Sequence, residues 1–203
     1  MRAQFNSDQI IALCNKYRYL IPRNAFTANI SPSYRYTYTV GSDLNGWYRL
    51  FLLFCKNALP YLKDNNIDKD FFFYDVKEKY GMLEMIVTHL TKDETLDDLI
   101  AAYRRMSKSV CIKCGEVADF TSMGWISPYC EECRLFTKEF ECEEFEEAPL
   151  MRGRNLVVKR EIFTCVNGKR KRVRRKINCK QYWTEYLNCK DLTDDEFFEY
   201  LME

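Results

Sequence analysis

Cys111-Ile112-Lys113-Cys114 and Cys130-Glu131-Glu132-Cys133 decide how this chain is read. Two CxxC units stand fifteen residues apart, inside the spacing of a four-cysteine zinc ribbon. The reason is geometric. Two thiolates three positions apart on a tight knuckle can grip one ion, and two such knuckles complete a tetrahedron with bonds of about 2.3 Å. Gly115 follows the first pair, where the chain has to turn back on itself. The loop between the pairs carries Trp125 and Ile126, which are expected to cover the sulfurs. Four thiolates close the coordination shell, whereas a catalytic zinc keeps a position open for water. The expectation is therefore one structural Zn2+ on Cys111, Cys114, Cys130 and Cys133, whose binding contributes folding energy directly. Four unconnected thiols, or two disulfides, are the alternative.

The other cysteines (Cys14, Cys55, Cys142, Cys165, Cys179 and Cys189) have no paired spacing and read as small buried side chains. A second metal site from Cys165, Cys179 and Cys189 stays open.

Upstream of the cysteines the pattern is helical and then hairpin-like. Ser7 is placed to cap a first helix bearing Ile10, Cys14, Tyr17 and Leu20, which Pro22 stops. Residues 23–42, rich in Tyr, Thr and Ser, read as a loop followed by a strand. A second helix runs from about Asp43 to Asp64, with Pro60 expected to kink or fray its last turn. FFFYDVKEKYGMLEMIVTHL (71–90) reads as a hairpin turning at Gly81, with Leu83, Met85 and Val87 inward by period two. ETLDDLIAAYRRMSKS (94–109) follows as a helix with Leu96, Leu99, Ile100 and Tyr103 on one face.

Downstream the charge separates. KEFECEEFEEA (138–148) is acidic, while residues 150–180 hold twelve Lys or Arg against one acid, Glu161. The whole chain of 203 residues carries only +1, so that block of +11 is balanced by −10 elsewhere. Within it, LVVKREIFTCV-NG-KRKRVRRKINC (156–179) is an explicit hairpin signal. Asn167-Gly168 suits a two-residue type I′ turn, because both central positions need positive φ. That turn sets Ile162 against Val173 and Val158 against Ile177, on a face shared with Thr164, Lys171, Arg160 and Arg175. The other face presents Lys159, Arg170, Arg172, Arg174 and Lys176 around Glu161, Phe163 and Cys165.

Like charges across strands repel. Solvent, the acidic runs 139–147 and 191–199, or an anionic partner must therefore stabilise the ribbon. The functional expectation is binding of nucleic acid, or of a nucleoprotein complex, through Lys159, Arg170, Arg172, Arg174 and Lys176. The tail places Thr193 and Glu196 as a capping box before FFEYL (197–201).

Composition narrows the class. Apolar residues make up 47% and aromatic residues 15%, enough for a core. No window approaches 18 consecutive apolar residues, and the polar start MRAQFNSDQ does not read as a secretory signal. A cytoplasmic protein with no membrane partner and no small-molecule substrate is expected. His89 is the only imidazole and has no obvious nucleophile beside it. GxGxxG, GxxxxGK and GxSxG are all absent, so the expectation is a protein that is not an enzyme.

Several residues taken together resemble a known group. Gly46-Trp47, then Asp75-Val76-Lys77-Glu78-Lys79-Tyr80-Gly81-Met82-Leu83, then Ile100-Ala101-Ala102 and Ser107 lead into Cys111-x2-Cys114-Gly115, Gly124-Trp125-Ile126 and Cys130-x2-Cys133. This order is similar to small, largely uncharacterised proteins of phages and bacterial mobile elements, whose pattern runs GW, a VKEKFGGLRFY-like strand pair, and a CxxCG…W…CxxC knuckle. It covers about residues 45–135. Met82 stands where a second Gly is common, and Glu84 where an Arg is common. The resemblance implies a phage origin. It also implies interference with a host nucleic-acid-guided defence system such as CRISPR–Cas.

The expected architecture is α+β: a small antiparallel sheet with helices, a four-cysteine zinc knuckle, and a C-terminal basic β-hairpin. Residues 1–42 form an N-terminal helix and strand, 43–135 the zinc-stapled core, 136–148 an acidic linker, and 149–203 the basic hairpin with C-terminal helices. The alternative function is a module that binds a host protein through acidic and aromatic surfaces that mimic nucleic acid.

Overall fold

The structure is a computed structural model that describes residues 5–21, 23, 29, 46–88, 94–141, 144–148, 151–166 and 169–203. The strand expected within 23–42, His89 and the Asn167-Gly168 turn lie outside the described residues.

Helices and small antiparallel sheets make up the fold. Helix α2 (Tyr48–Asp64) is its axis, and nine of its side chains are buried, among them Leu50, Phe51, Leu53, Phe54 and Leu62. It continues beyond Pro60 to Asp64, because a proline near a helix end removes only one late hydrogen bond. Helix α1 (Ser7–Lys16) precedes a 3-10 turn (Arg18–Leu20) that buries Tyr19 and Leu20. Its cap is Asn6 rather than Ser7. The Asn6 side chain accepts from the Gln9 amide at 2.9 Å, and the Gln9 side chain accepts from the Asn6 amide at 2.9 Å.

Strands β1 (Phe73–Glu78) and β2 (Leu83–Val87) pair antiparallel. The connection turns at Tyr80 and Gly81, both with positive φ. Leu83, Met85 and Val87 are buried as period two requires. Helix α3 (Glu94–Ser107) buries Leu96, Leu99, Tyr103 and Met106 against α2 and β2. An aromatic cluster of Tyr19, Phe51, Phe54, Phe71 and Phe73 fills the centre, with ring centroids 5.1 to 6.1 Å apart.

A three-stranded sheet of order β4-β3-β5 joins β3 (Phe120–Ser122), β4 (Pro128–Tyr129) and β5 (Phe145–Glu147). Helix α4 (Glu131–Glu141) starts within the second CxxC. The acidic stretch read as a linker is thus built into the body: its first part ends α4, and β5 pairs with β3.

Strands β6 (Val157–Val166) and β7 (Lys169–Asn178) pair antiparallel along ten residues each, with Val158 opposite Ile177 and Ile162 opposite Val173. Helices α5 (Lys180–Cys189) and α6 (Asp194–Met202) close the chain. Helix α6 carries the Thr193–Glu196 capping box and buries Phe197 and Leu201. Arg49 of α2 fixes this end. It donates to the Cys189 carbonyl at 2.9 Å, pairs with Asp194 at 2.8 Å, and lies 4.7 Å over the Phe197 ring. Among the described residues no helix is long and apolar enough to cross a membrane.

Candidate metal centre and cationic ribbon

The backbone folds each CxxC into a knuckle. The Gly115 amide donates to the Cys111 carbonyl at 3.0 Å, and Gly115 takes a φ of 87°, where an L side chain would be strained. The Cys111 amide donates to the Glu116 carbonyl at 2.7 Å, and Val110 bridges Val117. The second knuckle is the first turn of α4, where the Arg134 amide donates to the Cys130 carbonyl at 2.9 Å. The Ile112 amide reaches the Pro128 carbonyl at 2.9 Å and ties the two knuckles together.

This brings the sulfurs of Cys111, Cys114, Cys130 and Cys133 all within 4.8 Å of one another. Cys114 and Cys130 sulfurs are 3.5 Å apart. A tetrahedron with bonds of about 2.3 Å needs sulfurs roughly 3.8 Å apart, so four cysteines at these separations fit one ion. Among the described residues it is the one such group. Cys55, Cys179 and Cys189 are buried elsewhere, and the Cys165 side chain lies outside the described residues.

As free thiols Cys114, Cys130 and Cys133 are hard to ionise. The Cys111 thiol hydrogen-bonded beside it, and then burial, push Cys114 up. Burial, reinforced by Cys114, pushes Cys133 up to about 12. A cation in the middle reverses that balance, because it supplies the charge that holds thiolates together. Backbone amides assist: that of Glu116 donates to the Cys114 sulfur, and that of Cys133 to the Cys130 sulfur.

The cover over the knuckles is not the expected one. Trp125 is 74% exposed, and its indole N–H donates at 2.9 Å to a carboxylate oxygen of Glu78, the last residue of β1. Ile126 lies against Gly81 and is also exposed. The first knuckle is instead clamped from afar. The Gly46 amide donates to the Ile112 carbonyl at 2.9 Å, and the buried Trp47 indole donates to the Val110 carbonyl at 2.7 Å. From α5 the Tyr186 hydroxyl donates to the Gly115 carbonyl, and Lys190 pairs with Glu116 at 3.0 Å. The centre therefore joins the start of α2 to α5, the helix that follows the ribbon in the chain.

No family model, curated protein or solved structure matches this chain. What the site does is read from its own geometry.

On the ribbon the two faces differ. Near its base, Ile177 is buried in the core and Val158 packs against it, while Val173 further out is exposed. Arg160 and Arg175, on that same inner face, meet the first turn of α3. Arg160 pairs with Asp97 and, at 3.1 Å, with Asp98. Arg175 pairs with Glu94 at 2.7 Å and Asp98 at 2.6 Å. Acids of α3 thus neutralise these two arginines. Nothing local in the sequence shows that Glu94, Asp97 and Asp98 face the ribbon; they read as ordinary acids at a helix N-terminus.

The outer face is open to solvent. Lys159, Arg170, Arg172, Arg174 and Lys176 are all exposed. Glu161 serves both Arg172 and Arg174, whose side chains are 63% and 73% exposed.

Proposed function

We propose that this chain is a non-enzymatic zinc-binding protein that engages nucleic acid, or a nucleoprotein complex, through the outer face of the β6–β7 ribbon. One observation carries it: Lys159, Arg172, Arg174 and Lys176 are exposed on that face, where Glu161 pairs with Arg172 and Arg174, while the inner-face Arg160 and Arg175 are each paired with acids of α3. Ten residues per strand make a ribbon about 33 Å long. A two-stranded ribbon of this width enters the DNA major groove. Zn2+ is the ion that four clustered thiolates suit, and a closed shell gives it a structural part, tying α5 to the first knuckle. The likeness of residues 45–135 to phage and mobile-element proteins supports a host nucleic-acid-guided defence complex, such as CRISPR–Cas, as the nucleoprotein, met in the host cytoplasm.

The test is binding to a labelled DNA or RNA duplex over a salt series, with Arg170→Gln/Arg172→Gln/Arg174→Gln as the comparison. On DNA, the log–log salt slope should fall by about 0.9 for each phosphate that the variant no longer neutralises. Unchanged affinity and slope in the folded triple variant would overturn the reading.

A second reading has its own observation. Tyr80, Met123, Trp125, Leu135 and Phe136 are exposed, and Glu144 and Glu146 are exposed nearby in sequence. They support a protein partner gripped by an aromatic and acidic surface. Neutralising Glu144 and Glu146 would then abolish capture of the partner, and the arginine variant would not.

A further inference from the structure

The C-terminal ends of α1 and α2 meet at a half-open cavity of about 400 Å3, far from the cysteines in sequence. Its charged lining is Lys16, Arg18, Lys63, Lys69 and Asp68. Among the described residues none of those four cations is held in an ion pair. Lys16 and Lys63 each lie in the last turn of a helix, where the macrodipole favours a cation. The two helix ends together supply only about one negative charge. With Asp68 counted, four cations still leave a surplus of about two positive charges. The strain is visible at Lys16: burial, then Lys56 and Lys63, pull its ammonium below the ordinary lysine range, with Glu203 acting the other way. Tyr19 and Leu59, both buried, form the apolar part of the wall.

We propose that this cavity binds a phosphate monoester, with Lys16, Arg18, Lys63 and Lys69 around the phosphate and the organic part against Tyr19 and Leu59. A phosphate monoester carries about −1.5 to −2 at neutral pH, which matches the surplus. The volume is in the range of small-ligand sites. The monoester can come from a free mononucleotide or from the 5′ end of a nucleic-acid strand. The monoester is assigned as a bound ligand, with Asp68 the one carboxylate in the lining. The site is independent of the ribbon, so either assignment can fail alone.

The test is isothermal titration of the metal-loaded full chain with adenosine monophosphate, inorganic phosphate, and matched 5′-phosphorylated and 5′-hydroxyl oligonucleotides. Adenosine monophosphate should bind once per chain and be displaced by inorganic phosphate. Binding should weaken about tenfold or more in Lys63→Gln and in Lys69→Gln, whose side chains are exposed and whose replacement opens no core. Asp68→Asn should tighten it. The ribbon variant Arg170→Gln/Arg172→Gln/Arg174→Gln should leave it unchanged. Preference for the 5′-phosphorylated oligonucleotide, lost in Lys63→Gln, assigns the site to strand ends. Equal binding of the two oligonucleotides, with the mononucleotide bound, assigns it to free phosphates. Absence of saturable binding by adenosine monophosphate and phosphate at millimolar concentration overturns the proposal. So does unchanged affinity in a folded Lys63→Gln/Lys69→Gln protein.

Discussion

Gly46 passes so close to Cys111 that a methyl group on it would sit 2.0 Å from the Cys111 carbonyl oxygen and 2.5 Å from the Gly115 amide nitrogen. Both neighbours are backbone, so neither can swing aside. The entry to α2 and the first metal knuckle are locked together through the absence of a side chain.

Gly46→Ala should therefore cost about 3 kcal/mol of stability and loosen the metal site with it. Thermal unfolding and competition with a chelator measure the two effects. A variant with the melting point and metal retention of the parent would show that the backbone there relaxes freely.

Metal removal should unfold more than the knuckles. Elemental analysis is expected to give about one zinc per chain, and chelation should release the Tyr186 and Lys190 bonds that tie α5 to the first knuckle. Cys130→Ser should lower stability by several kcal/mol, since one ligand of four is removed. A Cys130→Ser protein that folds as the parent does, with no metal bound, would refute the structural assignment.

The two faces of the ribbon should answer differently to mutation. Arg160 is 25% exposed and its partner Asp98 only 14%, so Arg160→Ala leaves a half-buried carboxylate with fewer partners. A loss of about 1–2 kcal/mol is expected, with no change in the salt dependence of nucleic-acid binding. Arg172→Ala removes an exposed pair, and stability should change by less than about 0.5 kcal/mol while binding weakens. Denaturant melts set beside salt-dependent binding separate the two; equal stability losses would contradict the difference in faces.

Alkaline pH should unfold the protein cooperatively. Burial holds the hydroxyls of Tyr17, Tyr19, Tyr103 and Tyr186 well above the usual phenol range. Each donates or receives a hydrogen bond inside the fold: Tyr17 to the Leu201 carbonyl, Tyr19 to the Cys55 carbonyl, Tyr186 to the Gly115 carbonyl, and Tyr103 from Asn57. An acid whose folded value is raised contributes stability that is whole below its unfolded value, near 10, and is lost as pH climbs from there toward the folded values. The last part of the phenolate absorbance, that of the four buried rings, should therefore appear together with the loss of far-UV circular dichroism above about pH 10. Ionisation of all fourteen tyrosines completed before any loss of helix would contradict the burial of these four rings.

The α+β class and the grouping of four cysteines were legible because both are written in short-range pattern. Period-two burial at Leu83, Met85 and Val87, helical spacing at Leu96, Leu99 and Tyr103, and two CxxC units need only local geometry to be understood. Expectation and structure part where distance in sequence matters, or where neighbouring residues compete for one role. Asn6 rather than Ser7 caps α1, a one-residue difference that alternative capping residues side by side cannot settle. Trp125 turns outward to Glu78, while Trp47, sixty-three residues from the carbonyl it binds, takes the covered place beside the knuckle.

Two CxxC units fifteen residues apart, and twelve cations against one acid within residues 150–180, can be read from the chain alone, because ligand spacing and net charge are properties of the residues in order. Tertiary structure alone decided which of those cations stay open. Docking of α3 sets Glu94, Asp97 and Asp98 against Arg160 and Arg175, while on the opposite face Arg172 and Arg174 share Glu161. It also decided that the ends of α1 and α2 would share one cationic cavity. Both outcomes come from residues far apart in the chain meeting through space, and Coulomb forces act over that spatial distance, not over sequence.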